Sequence, residues 1–253
     1  MTVDILKIQR VIIVSLLGLM SMSSMAQVGM NQPYVDEKLF HFGFQLGVNF
    51  ASFGITDSEA SIQMQPGQTD TLHARVSSVM PGFHVGFVTD LRLCKFLNLR
   101  FCPGMQFSSR TISYKASNEN HPVHTQENPG FGSTMDIMYM PVYLPLYLKF
   151  SAEREGNYRP YVIAGGGVSF NVSRDKNKPV LMNVMDYFCE VGFGVDLYFQ
   201  WFKWCPELTY RIGFANQLCP ADQHPNLIAE NSFYTNAISR MTNHCICLTF
   251  NFE

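Results

Sequence analysis

The chain has 253 residues, of which 47% are hydrophobic and 15% charged, with a formal net charge of -2 at pH 7. So near-neutral a balance gives no basic footprint for nucleic acid. Beyond the first residues no apolar stretch approaches the roughly 20 residues of a spanning helix, so any membrane crossing must use strands.

The chain opens with Lys7 and Arg10, an apolar run from Val11 to Leu19, and the small-residue exit Ser24-Met25-Ala26. A positive start, a short greasy core and a small-x-small exit describe a secretory signal peptide, with cleavage expected after Ala26. Residues 1–26 are therefore set apart as the signal peptide and residues 27–39 as a periplasmic N-terminal segment. Residues 40–253 form one domain. Loss of Lys7, Arg10 and Asp4 removes two positive charges and one negative, leaving a formal charge of -3.

The first element is "FHFGFQLGVNF", residues 40–50. Phe40, Phe42, Phe44, Leu46, Val48 and Phe50 occupy one phase, and His41, Gly43, Gln45, Gly47 and Asn49 the other. A period of two puts these sets on opposite faces of a strand. The pattern returns in residues 80–93, where Phe83, Val85 and Phe87 oppose His84, Gly86, Asp90 and Arg92. In 97–110, Leu97, Leu99, Phe101, Met105 and Phe107 oppose Asn98, Arg100, Cys102, Gly104, Gln106 and Arg110. In 140–150, Val142, Leu144, Leu146 and Leu148 oppose Tyr143, Tyr147 and Lys149. A fifth strand, 159–172, sets Val168, Phe170 and Val172 against Gly167, Ser169 and Asn171. In the sixth, 186–199, Val191, Phe193, Val195 and Leu197 face away from Asp186, Glu190, Gly192, Gly194 and Asp196. The seventh, 202–214, opposes Trp204, Leu208 and Tyr210 to Lys203, Glu207, Arg211 and Gly213. The eighth, 244–253, opposes Ile246, Leu248, Phe250 and Phe252 to Cys247, Thr249, Asn251 and Glu253.

The links after strands one, three, five and seven, near 52–79, 111–137, 174–184 and 216–241, are long, and those near 94–96, 151–157 and 200–201 are short. Eight strands with one greasy face and long loops at one end predict an all-β, eight-stranded antiparallel transmembrane β-barrel of the outer-membrane, porin-like type. Its address is the outer membrane of a Gram-negative cell, where lipid meets the greasy phase, with short turns and both termini in the periplasm and long loops outside. The competing reading is a secreted sandwich or lipocalin-like barrel with the greasy phase inside. That reading calls for a generously charged outward phase, whereas here the polar phase is rich in Gly. Pro141 and Pro145 predict a distorted fourth strand, because Pro removes a ladder hydrogen bond.

An eight-stranded interior is just wide enough to be filled by side chains. On the inward phase stand Asp90, Arg92, Arg100, Glu190, Asp196, Glu207 and Arg211, beside small glycines at 43, 47, 86, 104, 192, 194 and 213. Buried charges need partners, so these seven are the candidates for ion pairs that plug the lumen. The cysteines, seven in number, match no zinc or redox spacing and read as small fillers; Cys205 and Cys247 both face inward. His121, His124, His224 and His244 lie in or near the long loops, where they read as solvated groups. No nucleophile elbow or phosphate loop appears. Neither an enzyme, a cofactor, a metal nor a small-molecule substrate is expected. In "NLIAENSFYTNAISRM" apolar residues predict packing over the barrel mouth or docking on another protein.

The blocks "LPLYLKFSAEREGNYRPYVIAGG", "DYFCEVGFGVDLYFQWFKWCPELTYRIGFAN" and "FYTNAISRMTNHCICLTFNFE" resemble PorT, the small outer-membrane barrel of the type IX secretion system, over most of residues 40–253. The resemblance implies a component needed to export proteins that bear a C-terminal sorting domain, with other secretion-system proteins as partners through the outer loops. A packed lumen makes an accessory or assembly role the expectation, against passage of cargo through the barrel itself. The alternatives are a barrel acting as adhesin or envelope stabiliser, and an outer-rim hydrolase.

Overall fold

The computed structural model describes residues 29–58, 61–65, 68–116, 134–174, 178, 180–220 and 232–253; the signal peptide lies outside them. Twelve strands follow in chain order: β1 (Phe40–Asp57), β2 (Ser61–Gln65), β3 (Gln68–Val79), β4 (Pro81–Arg92), β5 (Leu97–Phe101), β6 (Gly104–Ala116), β7 (Thr134–Tyr139), β8 (Pro141–Ser151), β9 (Tyr158–Asn171), β10 (Met185–Tyr198), β11 (Lys203–Gly213) and β12 (Ile238–Phe252). A short helix, α1 (Ser232–Asn236), precedes the last strand.

Several of these strands are consecutive stretches of one stave. Taking β3 with β4, β5 with β6 and β7 with β8 gives eight antiparallel staves in a closed ring, β1 pairing with β12 on one side and β4 on the other. Closure leaves no free edge in the spanning part, a requirement in lipid. The short connections lie at the end that carries both termini, called here the terminal end; the opposite end is called distal.

The prolines act differently from expectation. β8 runs unbroken from Pro141 to Ser151 against β9, so Pro145 does not distort the fourth stave, whose one break, at Met140 between β7 and β8, falls directly before Pro141. Another interruption falls on the third stave, at Cys102-Pro103, between β5 and β6. Register is kept across it, since Phe101 pairs Leu146 and Gly104 pairs Tyr143. That spacing sets Cys102 and Pro103 opposite Pro145 and Leu144, so two residues without an N–H meet at one place in the ladder. The Pro103 carbonyl still accepts the Phe87 N–H at 2.9 Å.

The links near 52–79 and 111–137 are also less loop-like than their composition suggests. β1 continues to Asp57, β2 and β3 form a hairpin, and β6 and β7 extend the third and fourth staves in register from Ser108↔Tyr139 to Ser113↔Thr134. Side chains explain the extension, because the phase that faces the interior changes chemistry. Along β6 the inward residues are Gln106, Ser108 and Arg110, then Ile112 and Tyr114, both 0% exposed. The outward residues run Met105 and Phe107, then Ser109, Thr111, Ser113 and Lys115. β1 flips in the same way: outward Phe40 to Phe50 gives way to Ser52 and Thr56, while inward Asn49 gives way to Ala51 and Phe53.

The outward apolar run from Phe40 to Phe50 spans about 33 Å of strand, or about 25 Å of height at a tilt near 40°, the height of a lipid-facing band. Aromatic residues ring its terminal margin: Phe44 stacks on Phe252 at 5.0 Å, Phe199 on Phe202 at 5.0 Å and Trp204 on Phe250 at 5.8 Å.

Candidate functional site

The interior of the spanning part is the densest polar site in the molecule. Alternation on seven staves brings its members together near the terminal end. Arg100, 1% exposed, donates to Asp90 at 3.0 Å, to Glu207 at 3.3 Å and to Glu253 at 2.7 Å. Lys149 donates to both Asp196 oxygens, at 2.9 and 2.7 Å, and Lys203 pairs with Glu253. The Tyr161 hydroxyl donates to Glu207 at 2.8 Å, and its ring lies 4.1 Å from the Lys149 ammonium. One layer higher, Arg211 donates to Glu190 at 2.7 Å, Tyr147 donates to the same carboxylate at 2.8 Å, and Arg211 reaches Gln106 at 3.3 Å.

Six of the seven sequence candidates, Asp90, Arg100, Glu190, Asp196, Glu207 and Arg211, are therefore ion-paired in the lumen. Arg92 is the exception: it sits half-buried at the terminal rim, and no described carboxylate pairs with it. Lys149, Lys203 and Glu253 belong to the network but were not among the candidates. Their inward phase was legible; what hid them was their place at strand ends, where a charged residue reads equally well as a solvated turn.

Above the second ion-pair layer hydrogen bonds take the place of ion pairs. His84 meets Thr249 at 3.0 Å, Gln45 donates to Tyr143 at 3.0 Å, and Gln106 donates to Asn49 at 3.1 Å. Inward glycines make this room: a Cβ on Gly47 would lie 2.3 Å from the His84 ring, and one on Gly194 2.5 Å from the Tyr161 ring. Arg110 closes the layer, donating to Asn243 at 2.8 Å, with its guanidinium 4.1 Å from the Phe53 ring and 4.5 Å from that of Tyr139. The described cysteines carry free thiols. Cys247 lies 3.3 Å from Cys245 on its own strand, whereas Cys205 pairs across the ladder with Asn251.

Both mouths are covered. At the distal end Phe53, Ile112, Tyr114, Met135, Ile137 and Met241 form an apolar core with Val180, Met182 and Leu218 from the connecting segments and Tyr234 from α1. Tyr234, Ala237, Ile238 and Met241 thus pack over the barrel mouth, one of the two uses expected of 226–241, of which 226–231 lie outside the described residues. At the terminal end residues 31–37 lie across the rim. There Asp36 accepts from Tyr198 at 2.7 Å and Arg154 at 3.3 Å, and Asn31 N–H donates to Asn157 at 2.7 Å. His244 faces outward beside Tyr210 at 3.1 Å, while His121, His124 and His224 lie outside the described residues.

Charges so placed hold a wall together. Each is desolvated, so its attraction is strong and its loss costly. Among the described residues no three His, Cys, Asp or Glu side chains gather as a metal-holding group.

No curated protein matches the sequence. Among solved structures, Neisserial surface protein A is similar at 9% identity and a TM-score of 0.41, over 85% of this chain and 98% of that one. The outer membrane protein AlkL in lipid bilayers is similar at 11% identity and a TM-score of 0.32, over 90% of each chain. A family model described as outer membrane protein beta-barrel domain matches residues 25–218. Three-quarters of the sequence and the closed, lipid-faced ring therefore agree, and the chain belongs to the outer-membrane β-barrel family.

Proposed function

We propose that this outer-membrane barrel is a closed scaffold serving as an accessory component of protein export, in the manner of the PorT barrel of the type IX secretion system that its strand blocks resemble. The observation that carries the reading is the lumen itself. Two ion-pair layers, a hydrogen-bonded polar layer and an apolar core occupy the path from mouth to mouth, which suits a structural partner of a larger channel and not a conduit for cargo. In this reading the termini face the periplasm and the distal hairpins stand outside the cell, where they dock other secretion proteins. The barrel itself is not an enzyme and takes no cofactor.

Deletion of the gene, followed by mass spectrometry of proteins carrying C-terminal sorting domains in medium, surface and periplasm, tests it. Periplasmic accumulation restored by the intact gene is the expected result. Unchanged export, with weakened attachment or envelope integrity, would replace this reading with that of an adhesin or stabiliser.

A further inference from the structure

Just beyond the lipid-facing band, the outer wall of the distal extension carries a cluster of basic residues that neither the lumen nor the apolar core uses. His73 and Arg75 on β3 face outward across the ladder from Lys115 and Ser113 on β6, His73 opposite Lys115 and Arg75 opposite Ser113. The four line an open hollow of about 200 Å³. His73, Arg75 and Lys115 are exposed, and the one carboxylate in contact among the described residues, Asp57, is already held by the Ala74 N–H at 3.1 Å and by His73 at 3.3 Å.

Height decides what such a cluster meets. Phe107 is the last apolar residue on the outward face of β6, and Ser113 and Lys115 follow six and eight residues later. At about 3.3 Å per residue and a tilt near 40°, the hollow stands roughly 15 to 20 Å above the edge of the hydrocarbon. It also opens sideways from the barrel wall, so its neighbour is the polar layer of the surrounding leaflet and not the solvent over the mouth.

We propose that His73, Arg75, Ser113 and Lys115 form a binding site for the phosphorylated saccharide headgroup of the outer-leaflet glycolipid, lipopolysaccharide. Arg75 gives a planar fork suited to a phosphate, Lys115 a compact ammonium, and the Ser113 hydroxyl a further donor. Clustered cations beside a membrane surface are the usual means of holding an anionic headgroup. An acidic protein partner is less favoured, because the patch faces along the leaflet.

The inference rests on the distal end being outside the cell, which is read separately. Lys115→Cys labelled in intact cells by a membrane-impermeant maleimide, against the background of the native cysteines, reports the topology without reference to binding. Binding is measured on the full-length protein purified in detergent, by native mass spectrometry, with lipopolysaccharide and with the same glycolipid after enzymatic removal of its phosphates as probes. The protein is expected to hold the phosphorylated form at least tenfold more tightly, and Arg75→Glu with Lys115→Glu is expected to erase that difference. Retention of the heat-modifiable mobility of the folded barrel shows that the variant folds; if the double variant does not fold, Arg75→Gln alone is expected to lower the preference severalfold. Equal binding of the two glycolipids, or full preference in the variants, overturns the proposal. The same is true if the variants lose export while keeping glycolipid binding, which would assign the patch to a protein.

Discussion

The lower and upper halves of the same staves are built in opposite ways. In the spanning half the outside is apolar and the inside polar or charged, as with Leu46 against Gln45 or Phe101 against Arg100; in the distal half Thr111 and Ser113 face out while Ile112 and Tyr114 face in. One backbone, with one period of two, carries both. The solvent on each side decides which phase is greasy: lipid demands apolar side chains outside, and its absence above the band returns the strands to the ordinary rule of an apolar interior. The inversion therefore marks the membrane boundary, near Phe50 on β1 and Phe107 on β6.

The sharpest way to break the comparison is to remove a charge that only the spanning half tolerates. Arg100→Ala leaves Asp90, Glu207 and Glu253 without their shared partner and is expected to cost about 3–5 kcal/mol, read as a lower midpoint of urea unfolding in lipid vesicles. Next comes a matched pair on one strand. Leu46→Arg places a cation in the lipid-facing band at a cost of about 2–4 kcal/mol, and Thr56→Arg, above the boundary on the same face, is expected to cost about 0–1 kcal/mol. Equal costs would contradict the inversion. Smaller again is overpacking of the lumen: Gly194→Val drives a side chain into the Tyr161 ring and should destabilise by about 1–3 kcal/mol.

The mildest test touches the distal core alone. Burial pushes the Tyr234 hydroxyl up to about 12, above the ordinary phenol value of about 10. A folded value above the unfolded one means that this contribution is complete below pH 10 and lost as pH rises through 12. Ultraviolet absorbance of tyrosinate should accordingly show loosening of the distal core between those limits. Tyr234→Phe should weaken that dependence, the neighbouring Tyr114 hydroxyl being raised by burial as well, and leave the spanning half unchanged.

Much of this was legible in the sequence, because lipid and lumen impose a period of two that survives in single residues: each inward Gly named from the pattern, and each inward charge but Arg92 at the rim, lies inward. Six of the candidate charges proved paired for that reason. The distal core was not legible, since Phe53 and Ile112 sit where the greasy phase changes sides, and a reader following one phase takes the change for the end of the strand. Residues 180–182 were hidden for another reason: they fill the mouth from a connecting segment, which no periodicity governs, whereas Tyr234 lies in the stretch whose apolar residues predicted such packing. Pro145 misled because its missing N–H falls at one point of a ladder shared with the Cys102-Pro103 break, visible only when the two strands are aligned.

The most direct test of the closed scaffold is the conductance of the purified barrel in planar lipid bilayers, under conditions where heat-modifiable mobility shows it folded. The account predicts a silent membrane, because paired charges and the apolar core fill the path. A steady, wide, ion-conducting state in the unmodified protein would contradict it.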